Sequence, residues 1–315
     1  MNNNIKEIKH HNLNWICITC PSKADLEFLK TKYQINPLDL EEVIAPSQRS
    51  KIDKYKNYTF IIFLFPVYNR KTKEIEYSEV DFFIHKDFLI TIHRGDLSPI
   101  VDQEQICLSS EQAKENFFQG STQFMLYHLL NKLYLYCYPI LDHISLEVQD
   151  IKKNIFTGDA KILVEKILII RRNITDTRKI MQSHKATLEK MLRQHDDLEP
   201  VAALYTIDKK YFYHFENLID HTKESWDQLE SLKESIEALQ ETNESLISFK
   251  LNNVMKILTL INVGFLPASL IATFFMTNAQ HMPIIGIAND FWIISLISML
   301  SSAILLIIIW RRKWL

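Results

Sequence analysis

Apolar residues crowd the C-terminal quarter of the chain. Ile257–Met276 and Phe291–Trp310 each give twenty largely apolar residues, the length a helix needs to cross a hydrocarbon core about 30 Å thick. Buried core helices are the alternative, but the second run, FWIISLISMLSSAILLIIIW, is apolar on every face and has no charged stripe of the kind a surface helix shows. Two membrane spans are therefore expected. Between them, TFFMTNAQHMPIIG (273–286) is the polar interruption.

Earlier in the chain the period changes twice. From Trp15 to Leu97, runs such as WICIT, YTFIIFLFPVY, EVDFFI and FLITIH are dense in Val, Ile, Phe, Tyr and Thr, which predicts strands, with ADLEFLKTKY as a helix and NRKTK (69–73) as a polar hairpin connection. After Glu111 the spacing becomes helical, as in FMLYHLLNKLYLYCYPILDHISLEV. No Gly or Pro occurs from Val201 to Val263, so one long helix is expected that runs into the first span. Carried to Met276 it would measure roughly 110 Å at 1.5 Å per residue, several times the thickness of a membrane. The divisions expected are 1–145 as an α/β domain, 146–255 as a helical region with a stalk, and 256–315 as two spans joined by an outer loop, 277–290.

Two rows run along the stalk. Leu229, Leu232, Ile236, Leu239 and Leu246 recur at spacings of three and four, and Asp227, Glu230, Glu234, Glu237, Glu241 and Glu244 do so on another side. A solvated acidic face is one reading. The phase supports another: stepping by sevens from Glu234 and Glu241 leads to Ser248, Met255, Asn262 and Ser269, and a seven-residue period suits helices wrapped around a shared axis. Polar groups inside a span usually face a bundle interior or a water-filled cavity. Several copies around a symmetry axis would then enclose a lumen lined by Asn252, Met255, Leu258 (or Thr259), Asn262, Leu266, Ser269 and Thr273, with Asp227, Glu234, Glu237 and Glu241 along its approach. Asn262 has a second reading, a hydrogen bond to a neighbouring helix. Pro267 removes a backbone donor in mid-span.

Charge sets an orientation. Lys250 and Lys256 precede the first span, Arg311, Arg312 and Lys313 follow the second, and 277–290 has neither Lys nor Arg. Both ends are expected in the cytoplasm. Trp292, Trp310 and Trp314 fall near the expected interfaces. The opening stretch MNNNIKEIKHHNLNW lacks the apolar core of a cleavable signal. Four cysteines suit a reducing compartment. In the C-x-x-C of Cys17 and Cys20 an offset of three puts the side chains on opposite faces of a strand, so two packed thiols are expected and not a zinc site. His10 and His11 are either a metal-binding pair or part of a disordered terminus.

Catalysis finds little support. The chain has five glycines and no G-x-G-x-x-G, P-loop, H-E-x-x-H or G-x-S-x-G pattern. No enzymatic activity, organic cofactor or nucleic-acid partner is expected.

NNVMKILTLINVGFLPASLIATFFMTNAQHMP and the ending WRRKWL resemble the first span, mouth and basic C-terminus of the CorA magnesium transporters. NPLDLEEV, KYKNYTFIIF and VDFFIHKDFLITIHR are similar to segments of the family's soluble part, so the resemblance covers nearly the whole chain. It implies an α+β membrane protein: an N-terminal α/β/α cytoplasmic domain, a long stalk helix and two transmembrane helices, assembled as a funnel-shaped homopentamer in the inner (plasma) membrane. It also implies a cargo, hydrated Mg²⁺ or a related divalent ion such as Co²⁺, Ni²⁺ or Zn²⁺. A zinc-selective relative and a non-conducting sensor or scaffold are the alternatives.

The family's Gly-Met-Asn signature corresponds to Met276, Thr277 and Asn278, of which only the Asn matches. The resemblance assigns ion contact at the mouth to the Asn278 amide and to main-chain oxygen at Met276, beside Thr277. Where the family's loop carries an acid this chain has Gln280, which leaves Asp290 as the acidic residue of the loop. An Asp that senses cytoplasmic metal in the family corresponds to Asn217, with Glu216 and Asp220 as nearby substitutes.

Overall fold

The structure is a computed structural model that describes residues 4–45, 47, 49–193, 207–277, 283–287 and 289–311. Within them the chain divides into two compact units, Met1–Gln240 and Glu241–Leu315.

The first unit is built on one six-stranded sheet, ordered β1-β2-β6-β5-β4-β3. Its strands are β1 (Ile5–His10), β2 (Leu13–Thr19), β3 (Lys51–Lys54), β4 (Thr59–Asn69), β5 (Glu74–Ile84) and β6 (Phe88–His93). All pairs are antiparallel except β2 with β6. The inner strands are apolar at nearly every position because both faces are covered. Trp15, Cys17, Ile61, Phe63, Val80 and Phe82 enter one core; Ile16, Ile18, Phe60, Ile62, Phe83 and Ile90 enter the other. This is the two-fold alternation of a strand with apolar residues in both phases.

Helices α1 (Lys23–Tyr33) and α2 (Pro37–Ile44) cover the smaller core. Ser22 caps α1 in a reciprocal box with Asp25, and Asn36 caps α2 ahead of Pro37, which satisfies amide groups that the first helical turn leaves free. The larger core is closed by α3 (Ser98–Ser109), α4 (Glu111–Phe118), α5 (Thr122–Asn154), α6 (Ala160–Met181), α7 (His184–Leu192) and the first part of α8 (Phe212–Phe275). The expected α/β/α sandwich is thus present. Polar groups pin its layers. The Ile75 amide donates to Asn173 Oδ1 at 3.1 Å, and Asn173 Nδ2 donates to the Lys73 carbonyl at 2.9 Å, which ties α6 to the β4–β5 hairpin.

The local structure corrects four expectations. The N-terminal stretch is ordered in its described part: Ile5–His10 is a strand, and His11, at φ 51, makes the turn into β2. Charged Lys6, Glu7 and Lys9 hide this strand from an apolar pattern, and they suit a sheet edge that must not recruit another strand. Cys20 is not packed. It follows the end of β2 at φ 52, exposed, and its thiol donates to the Arg94 carbonyl at 3.2 Å, whereas Cys17 is buried. Helix begins at Ser98, ahead of Glu111. The long helix begins at Phe212 and not at Val201; 201–206 lie outside the described residues, and Asp208 is extended, its amide held by Gln123 Oε1 at 2.8 Å.

His184 is wholly buried, with Nε2 donating to the Leu64 carbonyl at 2.7 Å and Nδ1 accepting from the Tyr134 hydroxyl at 3.1 Å. Burial holds its pKa down at about 4. An unfolded chain would protonate this imidazole near pH 6.5 while the folded one stays neutral, so its contribution is complete above pH 6.5 and is lost as pH falls toward 4. At 1.36 kcal/mol per unit the loss is about 3 kcal/mol. The thermal midpoint of the detergent-solubilised protein is expected to fall across that window, and His184→Gln, already destabilised at pH 7, is expected to show a shallower fall.

Candidate functional site

Helix α8 turns one row of residues into the core of the first unit. Phe215, Leu218, Leu229, Leu232 and Ile236 are buried there, and Leu239 packs against them. Their spacings of three and four make one stripe, so other stripes face away. Asp227, Glu234 and Glu241 are exposed and Glu237 is half-buried; none of the four takes part in an ion pair among the described residues. Glu230 departs from the expected row. It pairs with Arg178 of α6, whose guanidinium lies 4.8 Å from the Trp226 ring, and with Lys233 at 3.5 Å. Glu216, Asn217 and Asp220 are exposed on the same helix. Glu216 and Asp220, one turn apart, share a face.

The second unit contains the end of α8 and α9 (Asp290–Arg311), both long and apolar enough to cross a membrane. Its residues explain how the two helices meet. From Ile247 to its end, the half-buried positions of α8 are Leu260, Val263, Gly264, Pro267, Ala268, Ile271 and Phe275. A Cβ added at Gly264 would lie 3.6 Å from Leu306 Cδ1, so the absence of a side chain permits close approach. Asn252, Met255, Leu258, Thr259, Asn262, Leu266, Ser269 and Thr273 are all exposed. The nine positions from Gly264 to Thr273 amount to about two and a half turns, so the two residues point in opposite directions. The later part of the expected lining row, Asn262, Leu266, Ser269 and Thr273, therefore lies on the side of α8 turned away from Leu306, whereas Asn252, Met255 and Thr259 border a cavity shared with Leu305, Ile308 and Ile309 of α9.

Several hydroxyls of that row are already engaged. Thr259 donates to the Met255 carbonyl at 2.8 Å, Ser269 to Leu266 at 3.2 Å and Thr273 to Ser269 at 2.7 Å. Each keeps oxygen lone pairs for a water or an ion. The helix continues through Pro267 and ends at Phe275. There the Thr277 hydroxyl donates to the Phe274 carbonyl at 2.8 Å, and neither Met276 nor Thr277 adopts positive φ. Met276 and Thr277 are exposed. Asn278 and Gln280 lie outside the described residues, as do Arg312, Lys313 and Trp314. Asp290 starts α9, where its carboxylate accepts from the Phe291 amide at 2.7 Å and the Gly286 amide at 3.3 Å. A negative group is favoured at that helix end.

A cysteine–histidine contact in the first unit is not a nucleophile. Cys17 Sγ lies 3.4 Å from His93 Nε2, and the Gly95 amide donates to His93 Nδ1 at 3.0 Å. With Nδ1 accepting, the proton sits on Nε2 and points at sulfur. Burial also pushes the Cys17 thiol far up, the opposite of what a reactive thiolate needs.

An α/β/α unit followed by a 64-residue helix and a second apolar helix defines a class of two-span membrane proteins with a large soluble part. The sequence model of the family described as CorA-like Mg²⁺ transporter protein matches residues 10–312. The chain belongs to this family. It is 24% identical over 304 residues to the cobalt/magnesium transport protein CorA of Thermotoga maritima, covering 96% of this chain and 83% of that protein. A second cobalt/magnesium transport protein CorA, from Methanocaldococcus jannaschii, is 22% identical over 97% of this chain and 92% of its own. The structure of the complete CorA magnesium transporter of M. jannaschii superposes with a TM-score of 0.78 at 21% identity, over 96% of this chain and 92% of that one.

The close approach at Gly264 is testable. Gly264→Ala adds a methyl at ordinary contact distance and is expected to leave the melting temperature in detergent within a few degrees. Gly264→Phe must force α8 from Leu306 and is expected to cost about 1–3 kcal/mol, read as a lower midpoint and reduced yield of folded protein.

Proposed function

We propose that the chain is a divalent-cation transporter of the inner (plasma) membrane that passes hydrated Mg²⁺, or a related ion such as Co²⁺, Ni²⁺ or Zn²⁺, through a homopentameric pore. The observation that carries this reading is the exposed row from Asn252 to Thr273, which alternates amides and hydroxyls with Met255, Leu258 and Leu266 and whose later members, Asn262, Leu266, Ser269 and Thr273, lie on the side of α8 opposite Gly264 and its neighbour Leu306. A single chain cannot enclose a path with such a row, whereas copies around an axis can. Membership of a family whose named relatives transport cobalt and magnesium supports the same conclusion.

Uncharged oxygens suit an ion that enters with its water and also has to leave, because a hard cation such as Mg²⁺ sheds water reluctantly. The apolar rings between them can gate by dewetting. Asn278, with Thr277 and the Met276 carbonyl, would meet the ion at the outer mouth; Asp227, Glu234, Glu237 and Glu241 would concentrate it on the other side. Lys250, Lys256 and Arg311 favour a cytoplasmic location for both termini. Glu216 and Asp220 would sense cytoplasmic metal with ligands from a neighbouring copy, two carboxylates being too few alone. A membrane potential of about 100 mV contributes roughly 4.6 kcal/mol to the entry of a doubly charged ion, so uptake needs no ATP.

Flux into proteoliposomes under an inside-negative potential tests the reading. The unaltered protein is expected to pass Mg²⁺, and Asn278→Ala to lower that flux at least tenfold. Passage of none of Mg²⁺, Co²⁺, Ni²⁺ and Zn²⁺ would overturn it in favour of a scaffold, and exclusive passage of Zn²⁺ would replace the Mg²⁺ assignment. The row has its own test. Cysteines at Asn262 and Ser269 are expected to react with water-soluble thiol reagents, and Glu234→Gln with Glu237→Gln and Glu241→Gln to reduce flux severalfold. Reaction only with lipid-soluble reagents, or a single unassembled subunit on cross-linking, refutes the pore.

A further inference from the structure

Glu79 and Asp81 alternate on β5 and so project from the same side of the sheet, the side of α2. Both are enclosed, at 7% and 3% exposure. Glu79 Oε2 accepts from the Ser47 amide at 2.9 Å, but Glu79 Oε1 and Asp81 Oδ1 are buried with no hydrogen-bond partner. Both carboxylates line a cavity of about 320 Å³, walled by Ile44 and Ala45 at the end of α2 and by Cys20 and Arg94 beyond β2 and β6.

Two neighbouring buried carboxylates with orphaned oxygens are costly unless a positive group or a proton joins them. The surrounding charges do not supply one. Lys51, whose charge acts on Asp81, is taken by Glu42 and by Asp53 at 2.7 Å, and Arg94 is exposed and makes no ion pair among the described residues. Burial first, then the charge of Glu79 and a hydrogen bond shared with it, and then Glu42 push the Asp81 carboxyl well up, the direction a missing counter-charge produces.

The ligand chemistry follows from what else faces the cavity. A dry zinc cage needs about four protein ligands, and no group of three or more His, Cys, Asp and Glu side chains among the described residues could hold a metal. The His93 ring is turned to the opposite face, against Cys17. A hard cation of the Mg²⁺ type needs only one or two carboxylates and keeps the rest of its water. An ion with about six waters occupies roughly 200 Å³ at ~30 Å³ per water, within the volume available. We propose that Glu79 and Asp81 bind a hydrated hard divalent cation in this cavity. The site belongs to the first unit and the lining row to the second, and it stands whether or not the chain transports ions.

The test uses the full chain in detergent, stripped with a chelator and brought to pH 8, with Mn²⁺ as the probe, its free form counted by electron paramagnetic resonance. Glu79→Gln with Asp81→Asn is expected to bind one Mn²⁺ per chain fewer than the unaltered protein, and each single change to weaken that site at least tenfold; Mg²⁺ is expected to compete. In metal-free buffer the double variant should melt no lower than the parent, since a repulsion has been removed. Equal Mn²⁺ stoichiometry and affinity in parent and double variant would overturn the proposal and leave a carboxyl pair sharing a proton. Should the double variant not fold, a nitroxide on the exposed Cys20 of the otherwise unaltered chain reads the same cavity. Broadening of its spectrum by Mn²⁺ supports the site, and an unbroadened spectrum at saturating Mn²⁺ refutes it. Loss of flux without change in this binding bears on the pore alone.

Discussion

The constraint on which everything else depends is that α8 has to remain one hydrogen-bonded helix while its surroundings change from water to hydrocarbon. Where no water is available, backbone amides and carbonyls must be satisfied inside the segment, and an unbroken helix does this. The chain meets the requirement by excluding Gly and Pro over a long stretch and by admitting Pro267 only where the helix continues through it. At 64 residues and 1.5 Å per residue the helix covers about 95 Å of path. Its side chains change character along the way, with Leu229, Leu232 and Ile236 packed in one unit and Gly264 set against Leu306 of α9 in the other.

A helix that packs on one side leaves its other stripes for different work. In the first unit the packed stripe is large and apolar, and the exposed stripes carry carboxylates. In the second the packed stripe mixes Leu260, Ile271 and Phe275 with Gly264 and Ala268, small residues that permit close approach where helices associate without a hydrophobic driving force, and the stripe turned away from it carries Asn262, Ser269 and Thr273. Neither row would be intelligible from charge or polarity alone. Each is defined by the packed face that it opposes.

The sheet follows a different economy. Covered on both faces, its central strands can be apolar at consecutive positions, and the few polar groups among them become conspicuous. Thr91 accepts from the Trp15 indole at 3.1 Å, and Asn173 is saturated by backbone. Glu79 and Asp81 are not. Buried polar groups in a folded protein are nearly all paired, so two orphaned carboxylate oxygens beside one cavity stand out in a sheet where Asn14 Oδ1 is the other unpaired buried side-chain atom among the described residues.

Much of this architecture was legible in the residues themselves. The two spans, the central strands, the β4–β5 hairpin and the stalk's leucine stripe are all stated by local periodicity, because burial on one or both faces leaves a repeating pattern. Edge strand β1 was hidden, since an edge carries charges that mask its alternation. The fate of Glu230 was hidden as well: its spacing matches the acidic row, and only the arrival of Arg178 from α6 withdraws it. The Glu79–Asp81 pair looks in sequence like any strand's polar face. Periodicity reports which face of an element is covered, while the identity of what covers it depends on residues distant in the chain, and those meet only when the fold brings them together.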